Sequence, residues 1–408
     1  MTQALERLLD DLEPHLDGRY GHDFLQTWDM NDHALAATVL VTQTLKWMTA
    51  NNISPRIYDT GLGVSIFKDQ STRTRYSFNS SMDLLGLDPV ELDMGKSQIA
   101  HGETVLETAN MIAFLTRVIG IRDDVYLGVG HRFISEVARS LERGVADRVL
   151  GHRPSVINLQ SDTDHPTQSM ADLCHVVEYA GGFEQLRGKK FTMSWAYSPS
   201  YGKPLSVPQG VGALFTRFGM DVTLAYPEGY SLIPETEELM RRNAAASGGS
   251  FRLTHDMHEA FEGADFVYPK SWASYAIMEQ RTKLLLEGNK NAYEQLEKEA
   301  LAENARHTDW ECTEDLMRKT RNGSALYLHC LPAEISEVSE IRGKVCEVGE
   351  VAATVFDRYR ADLYRQARNK PFSIAAMTLL GQLADPVGVL HDLVRNPRPL
   401  SPVLKAFT

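Results

Sequence analysis

Apolar residues recur in two rhythms along this chain. Short continuous apolar runs, as in strands buried on both faces, alternate with stretches whose apolar positions return every three or four residues, as in helices lying on a sheet. On this pattern residues 36–49 are predicted helical and 61–67 a strand, with 69–75 leading into a helix through 85. A strand at 90–93, a helix at 103–116, a strand at 118–121, a helix at 133–141, a strand at 155–158 and a helix at 166–179 follow. Gly181, Gly182 and Gly188 then break the rhythm. A second series begins after them: strand 191–197, helix 207–218, strand 221–225, helix 235–246 and strand 266–269. Residues 281–306 read as one charged helix, Asn322-Gly323 as a turn, 325–329 as a strand and 360–385 as a terminal helix.

Strands alternating with helices predict an α/β fold of two doubly wound parallel-sheet domains. The first is expected over 1–180, with the C-terminal helical segment 370–408 returning to it, and the second over 181–369. The 408 residues fit that count at about 150 residues per domain.

Charge narrows the partners. Lys and Arg number 42 against 54 Asp and Glu, a net charge of −12. Such a surface argues against bulk binding to nucleic acid or to anionic membrane, which needs clustered basic residues. It leaves room for a local basic pocket. No run approaches the ~18 apolar residues of a membrane span. Residues 1–16 are charged and amphipathic, unlike a signal peptide. Cys174, Cys312, Cys330 and Cys346 form no C-x-x-C pair, and free thiols suit a reducing compartment. A cytoplasmic protein is expected.

Three segments carry candidate chemistry. Ser71-Thr72-Arg73-Thr74-Arg75 follows a strand and opens a helix. Free N–H groups at a helix start, hydroxyls and a guanidinium fork together make an anion cradle suited to phosphate. A plain helix cap with solvated arginines is the other reading. His165-Pro166-Thr167-Gln168 puts an imidazole at a helix entrance, with Pro at the first position. It could serve an oxyanion or simply cap the helix at the surface. His329-Cys330-Leu331-Pro332 ends a strand, where ligands of open α/β sheets sit. Cys330 also fits a buried thiol, and no base is dedicated to it. The P-loop pattern is absent, and the G-x-G starts at Gly61 and Gly128 lack the third glycine of a dinucleotide loop. His255 and His258 lie one turn apart but have no companion ligands, so no metal site is expected.

In this order the segments resemble the aspartate/ornithine carbamoyltransferase superfamily: Ser71–Arg75, Gln98-Ile-Ala-His-Gly-Glu103, Gly120-Ile-Arg122, His165–Gln168 and His329–Pro332. The resemblance implies one domain for carbamoyl phosphate and one for the amino acceptor, with no cofactor and no metal. It also implies a homotrimer whose active sites are shared between subunits. Ser71, Thr72, Arg73 and Thr74 would hold the phosphate, and Thr74 would also reach the carbonyl oxygen. Arg122 and His165 would polarise that carbonyl. Gln168 and the main-chain carbonyls of Cys330 and Leu331 would hold the carbamoyl nitrogen, and Gln98 would reach in from an adjacent subunit.

Three stretches depart from the ornithine branch. Its Asp-x-Trp-x-Ser-Met-Gly pattern meets Tyr268-Pro-Lys-Ser-Trp-Ala-Ser274, so Lys270 stands at the acidic position. A lysine would repel a cationic diamine and suit a carboxylate or acyl oxygen. Lys270-Ser-Trp272 and the loop Trp195-Ala-Tyr-Ser-Pro-Ser-Tyr-Gly-Lys-Pro-Leu205 resemble the acetylornithine and succinylornithine branch. In that branch the loop is threaded, so a trefoil knot is expected in the second domain, although knots are rare. A late family arginine meets Lys370 in Gln366-Ala-Arg-Asn-Lys370, which keeps the charge without the fork.

The expected protein is thus a knotted carbamoyltransferase near acetylornithine carbamoyltransferase with an unassigned acceptor. That acceptor is a small amino acid or derivative, with Lys270, Trp272, Trp195 and Lys203 as its contacts. Catabolic phosphorolysis of a carbamoylated amino acid is equally compatible. Alternatives are acetylornithine or ornithine carbamoyltransferase in arginine biosynthesis, and a non-catalytic paralogue that binds a phosphate ligand.

Overall fold

Gly120 sits between Ile119 and Ile121, and this alternation decides how the first sheet is covered. The computed structural model describes residues 2–16, 20–93, 102–341 and 343–401. They divide into two compact units, one from 1–161, 165–174 and 368–408, the other from 162–164 and 175–367.

The first unit begins with helices α1 (Thr2–Leu12) and α2 (Asp32–Ala50). There follow β1 (Leu62–Phe67), α3 (Arg73–Leu85), β2 (Asp88–Leu92), α4 (Val105–Ala113), β3 (Thr116–Asp123), α5 (Gly130–Ala146), β4 (Ser155–Ser161) and α6 (Pro166–Ala180), which runs past residue 174 into the second unit. The four strands form a parallel sheet in the order β2-β1-β3-β4. Side chains alternate across a strand. Ile66, Ile119, Ile121 and Val156 therefore share one face, where they pack on Ala109 and Ala113 of α4 and on Ile134, Val137 and Leu141 of α5. Gly63 and Gly120 point to the other face. A Cβ on Gly120 would run into the Phe78 ring, and one on Gly63 into Met82. Both of those side chains belong to α3, so two glycines let that helix lie close against the sheet.

The second unit contains β5 (Lys190–Trp195), α7 (Ser206–Phe215), β6 (Asp221–Ala225), α8 (Pro234–Ser247), β7 (Ser250–Thr254), α9 (Met257–Phe261) and β8 (Phe266–Lys270). Then come α10 (Tyr275–Leu286), α11 (Lys290–Asn304), α12 (Glu314–Lys319), β9 (Leu326–Tyr327) and the hairpin β10 (Glu340–Ile341) and β11 (Lys344–Val345). Its sheet is also parallel, ordered β7-β6-β5-β8-β9. The chain then runs as α13 (Ala353–Gln382), which continues into the first unit, and ends with α14 (Pro386–Arg395). Within the first unit Ala375, Ala376, Leu379 and Leu380 of α13 and Leu390 of α14 share a core with Leu5 and Leu9 of α1 and Leu40, Val41 and Leu45 of α2.

The two doubly wound parallel sheets are those expected. Other expectations fail locally. The charged helix predicted over 281–306 is two helices, because Gly288 takes a left-handed φ of 67° and the Asn289 side chain caps α11 by accepting from the Ala292 N–H. Strand β7 was not predicted, since Ser250–Thr254 is an edge strand with mixed exposure and no apolar run. Strand β9 covers two residues where five were expected. Among the described residues no single helix is long and apolar enough to cross a membrane.

Candidate active site

The strand ends and helix starts of the first unit converge on one cationic site. The chain leaves β1 at Phe67 and enters α3 at Arg73. The Thr74 N–H donates to Ser71 Oγ at 3.3 Å. Thr72 makes no side-chain cap, so the helix start keeps N–H groups for an anion. Arg73 is exposed there. Arg75 is otherwise occupied, ion-paired with Glu91 and lying over the Phe67 ring.

Arg122 comes from the carboxyl end of β3. Its Nη1 donates to Ser71 Oγ at 3.2 Å. Its Nε and Nη2 donate to the two oxygens of Asp124 at 3.3 and 3.0 Å. Burial raises Asp124, with Arg122 pulling it back, to a pKa of about 6.

Lys370 closes the site from α13. Its Nζ lies 3.0 Å from Thr74 Oγ1, 3.0 Å from His165 Nε2 and 3.2 Å from Gln168 Oε1. An ammonium only donates, so Nε2 of His165 accepts and the ring proton sits on Nδ1. That proton faces Thr167 Oγ1 at 3.3 Å, and Thr167 donates onward to the Leu159 carbonyl. The imidazole is neutral. Burial holds its pKa well below the ordinary histidine value, and Lys370, Arg122 and Arg73 push it the same way. Gln168 Nε2 donates to the buried Asp172 at 2.7 Å, which fixes the amide and turns its oxygen to Lys370.

Ser71, Thr74, Arg122, His165, Gln168 and Lys370 are therefore joined by hydrogen bonds in one unit. Gln98 lies outside the described residues. Cys330 and Leu331 belong to the second unit.

There the buried Glu350 is a hub. Its Oε1 accepts from Lys270 Nζ at 2.8 Å and from the Ser271 N–H at 2.7 Å, with Lys203 Nζ at 3.5 Å. Its Oε2 accepts from the Glu334 N–H at 2.9 Å. His329 Nε2 is 3.2 Å from Oε2, at ion-pair distance but without hydrogen-bond alignment. Burial alone would raise Glu350, but Lys203 and Lys270 outweigh it and hold the carboxyl well below its usual range. Burial works against the Lys270 charge, but Glu350 together with Cys330 and Glu334 outweighs it and raises the ammonium in return. His329 Nδ1 accepts from the Leu331 N–H at 2.9 Å, which sets the turn carrying Cys330 and Leu331.

Beside this hub is a cavity of about 350 Å³, lined among others by Ser200, Lys203, Tyr230, Ser271, Trp272 and Asn304. The Trp272 indole donates to the Tyr230 carbonyl, and the Trp195 indole to the Trp272 carbonyl. Trp195 is wholly buried and backs the wall without lining it. Among the described residues no group of three His, Cys, Asp or Glu is placed to hold a metal ion.

Sequence reasoning missed Asp124, Asp172, Glu334 and Glu350. Asp124 stands two residues from Arg122 and was open to view. Glu350 carries no local signal.

Residues 22–178 match the carbamoyl-phosphate-binding domain of aspartate/ornithine carbamoyltransferases, and 206–380 match their aspartate/ornithine-binding domain. The Escherichia coli O157:H7 protein named "Putative carbamoyltransferase YgeW" is 53% identical over 97% of this chain and 98% of its own length. Ornithine carbamoyltransferase of Bacillus subtilis is 28% identical over 86% of this chain and 91% of its own. Among solved structures, an acetylornithine transcarbamylase complexed with acetylcitrulline aligns with TM-score 0.68 at 24% identity, covering 88% of this chain and 99% of that one. Ornithine carbamoyltransferase from Pyrococcus furiosus aligns with TM-score 0.65 at 25% identity, covering 89% and 97%.

Proposed function

Because the chain belongs to the aspartate/ornithine carbamoyltransferase family and is a carbamoyltransferase, we propose that the start of α3 holds carbamoyl phosphate and that the cavity beside Glu350 takes the amino acceptor. The observation behind the first half is the Lys370 ammonium bonded to Thr74, His165 and Gln168 at a helix N-terminus that Arg122 also reaches.

Ser71, Thr72, Arg73 and Thr74 bind the phosphate. Arg122 and Thr74 donate to the carbonyl oxygen, and Lys370 takes the place of the family arginine beside them. His165 stands beside these donors, its Nε2 accepting from Lys370. Gln168 and the carbonyls of Cys330 and Leu331 hold the carbamoyl nitrogen, and Gln98 is supplied by an adjacent subunit. A neutral amine attacks the carbonyl carbon, the new C–N bond forms and the C–O bond to phosphate breaks. The amine proton leaves with the phosphate. Charge grows first on the carbonyl oxygen and then on phosphate, and donors fixed in advance at both lower the barrier. Binding both reactants contributes further. The same groups serve phosphorolysis of a ureido compound in reverse.

Lys203 and Trp272 contact the acceptor, Lys270 does so with its charge shared by Glu350, and Trp195 supports the wall. The acceptor is a small amino or acylamino acid. Lys270 in place of a carboxylate speaks against ornithine. We also propose a cytoplasmic homotrimer. Tyr76, Val90, Met111, Phe114 and Leu115, all between residues 76 and 115 of the first unit, are large apolar side chains left exposed, which fits burial against other copies. The knot is proposed for the 195–205 loop, which Asn304 ties down through the Ser198 and Ser200 carbonyls and Ala273 through the Lys203 carbonyl. A crystal structure tests it by the path of the chain.

The function is tested by a ureido-product assay with carbamoyl phosphate across amino acids, diamino acids and their acyl derivatives. Product is expected from at least one acceptor, with Arg73→Ala losing both phosphate-ligand affinity and turnover. Wild-type carbamoyl phosphate affinity in Arg73→Ala would sink the site. Light scattering should give three times the 45.7 kDa chain mass.

A further inference from the structure

Asp124 is a buried carboxylate, 2% exposed, at the carboxyl end of the strand that carries Arg122. It takes Arg122 by two nearly parallel contacts, Nε to Oδ1 and Nη2 to Oδ2. Such a fork fixes the plane of a guanidinium as well as its position. The nitrogen left over, Nη1, is the one that reaches Ser71 Oγ. Asp69 is the other carboxylate near Arg122, 3.7 Å from Nη2 and half exposed, so it pulls less firmly.

Desolvating a carboxylate is expensive, and a positive charge at an anion site would by itself bind phosphate better without one beside it. Asp124 lowers the net charge of the site and gains orientation. Orientation matters little for a near-spherical phosphate. It matters for a planar carbamoyl group, whose oxygen must meet a donor from one direction.

We propose that Asp124 is a positioning residue that aims Arg122 at the carbamoyl end of the ligand. This rests on the reading of the α3 site as the carbamoyl phosphate site. Asp124 does not itself touch the ligand. Its removal costs recognition of the carbamoyl group and spares recognition of phosphate.

The test is calorimetric titration of the full chain with phosphonoacetamide, a hydrolysis-resistant isostere of carbamoyl phosphate, and separately with inorganic phosphate. Asp124→Asn is expected to weaken phosphonoacetamide by roughly tenfold or more, the size of a typical coupling between contacting groups. Inorganic phosphate should change by less than about threefold, within the spread of single contacts. Asp124→Glu keeps the charge but displaces the fork. It should fall between wild type and Asn in the ratio of the two affinities, and it carries the comparison alone if the Asn variant does not fold. In an Arg122→Gln background, Asp124→Asn should have no further effect on that ratio. Equal weakening of both ligands, no weakening of either, or an undiminished effect without Arg122 would each overturn the proposal. Failure of the wild-type chain to bind phosphonoacetamide would instead overturn the carbamoyl phosphate reading, and is read before any variant is made.

Discussion

Lys270 Nζ lies 2.8 Å from Oε1 of Glu350, a carboxylate with no exposed surface. The lysine that replaces an acidic residue of the ornithine pattern is thus not a loose cation. It is half of a buried pair that also draws in Lys203 and His329. Removing one partner of such a pair strands a charge, at a cost of about 3–5 kcal/mol. Glu350→Gln should therefore lower the thermal midpoint sharply. Lys270→Asp, which restores the acidic position, should not create ornithine activity, because it sets a second carboxylate against Glu350. A stable Lys270→Asp variant that carbamoylates ornithine efficiently would contradict this account. Thermal unfolding and the ureido assay supply the two readings.

Lys370 should matter to rate more than to folding. It is buried, and Thr74, His165 and Gln168, to which its Nζ is bonded, are groups of the proposed ligand site. Lys370→Ala is expected to lower kcat about 10²–10³-fold, the usual loss for one preorganised donor at a developing oxyanion. Lys370→Arg should retain more, since the charge survives. Loss of Lys370 also removes a cation that depresses His165. The acid limb of the pH–rate profile should accordingly move to higher pH in Lys370→Ala. An unchanged limb would mean that the imidazole does not sense Lys370.

Stability should fall as the medium becomes acidic. His165 and His329 are buried and depressed below the ordinary histidine value, by burial in both cases. Below roughly pH 6.5 the unfolded chain binds protons at these rings and the native state does not. Each ring then costs up to about 1.4 kcal/mol per pH unit. Asp124 has the opposite sign. Its raised pKa of about 6 lets the native state take up a proton that the unfolded state refuses until lower pH. His15 is likewise depressed by burial and Asp29 likewise raised, so three histidines against two aspartates predict a net loss between pH 7 and 5.5. Denaturant midpoints across that range check the sign, and His165→Gln should flatten the slope.

The nest at Ser71–Arg75 was legible because it is local: hydroxyls, arginine and helix start are contiguous in sequence. The roles of His165 and Lys370 were not, since 205 residues separate them and an isolated histidine reads as a surface cap. Only resemblance to a family brought them together. Glu350 escaped altogether. A carboxylate paired with a lysine 80 positions away leaves no spacing to recognise. The parallel sheets were readable from apolar runs such as Val118–Ile121. The edge strand β7 was not, because it is half solvated and its alternation is too short to count.

Gly120 ties the core of the first unit to its chemistry, and a single methyl group tests the connection. A Cβ there would meet the Phe78 ring and Leu159. Phe78 is fully buried on α3, the helix whose first turn carries Arg73 and Thr74. Overpacking at such a contact costs about 1–3 kcal/mol and is relieved by moving one element. Leu159 lies on β4, where Asn158 and Gln160 on either side of it pair with β3, so α3 is the element freer to shift. Gly120→Ala should lower the thermal midpoint and weaken phosphonoacetamide together. Phe78→Leu makes room on α3, so the double variant should recover ligand affinity beyond what the two single effects sum to. Recovery of the midpoint without recovery of affinity would mean that the nest does not depend on how closely α3 lies against the sheet.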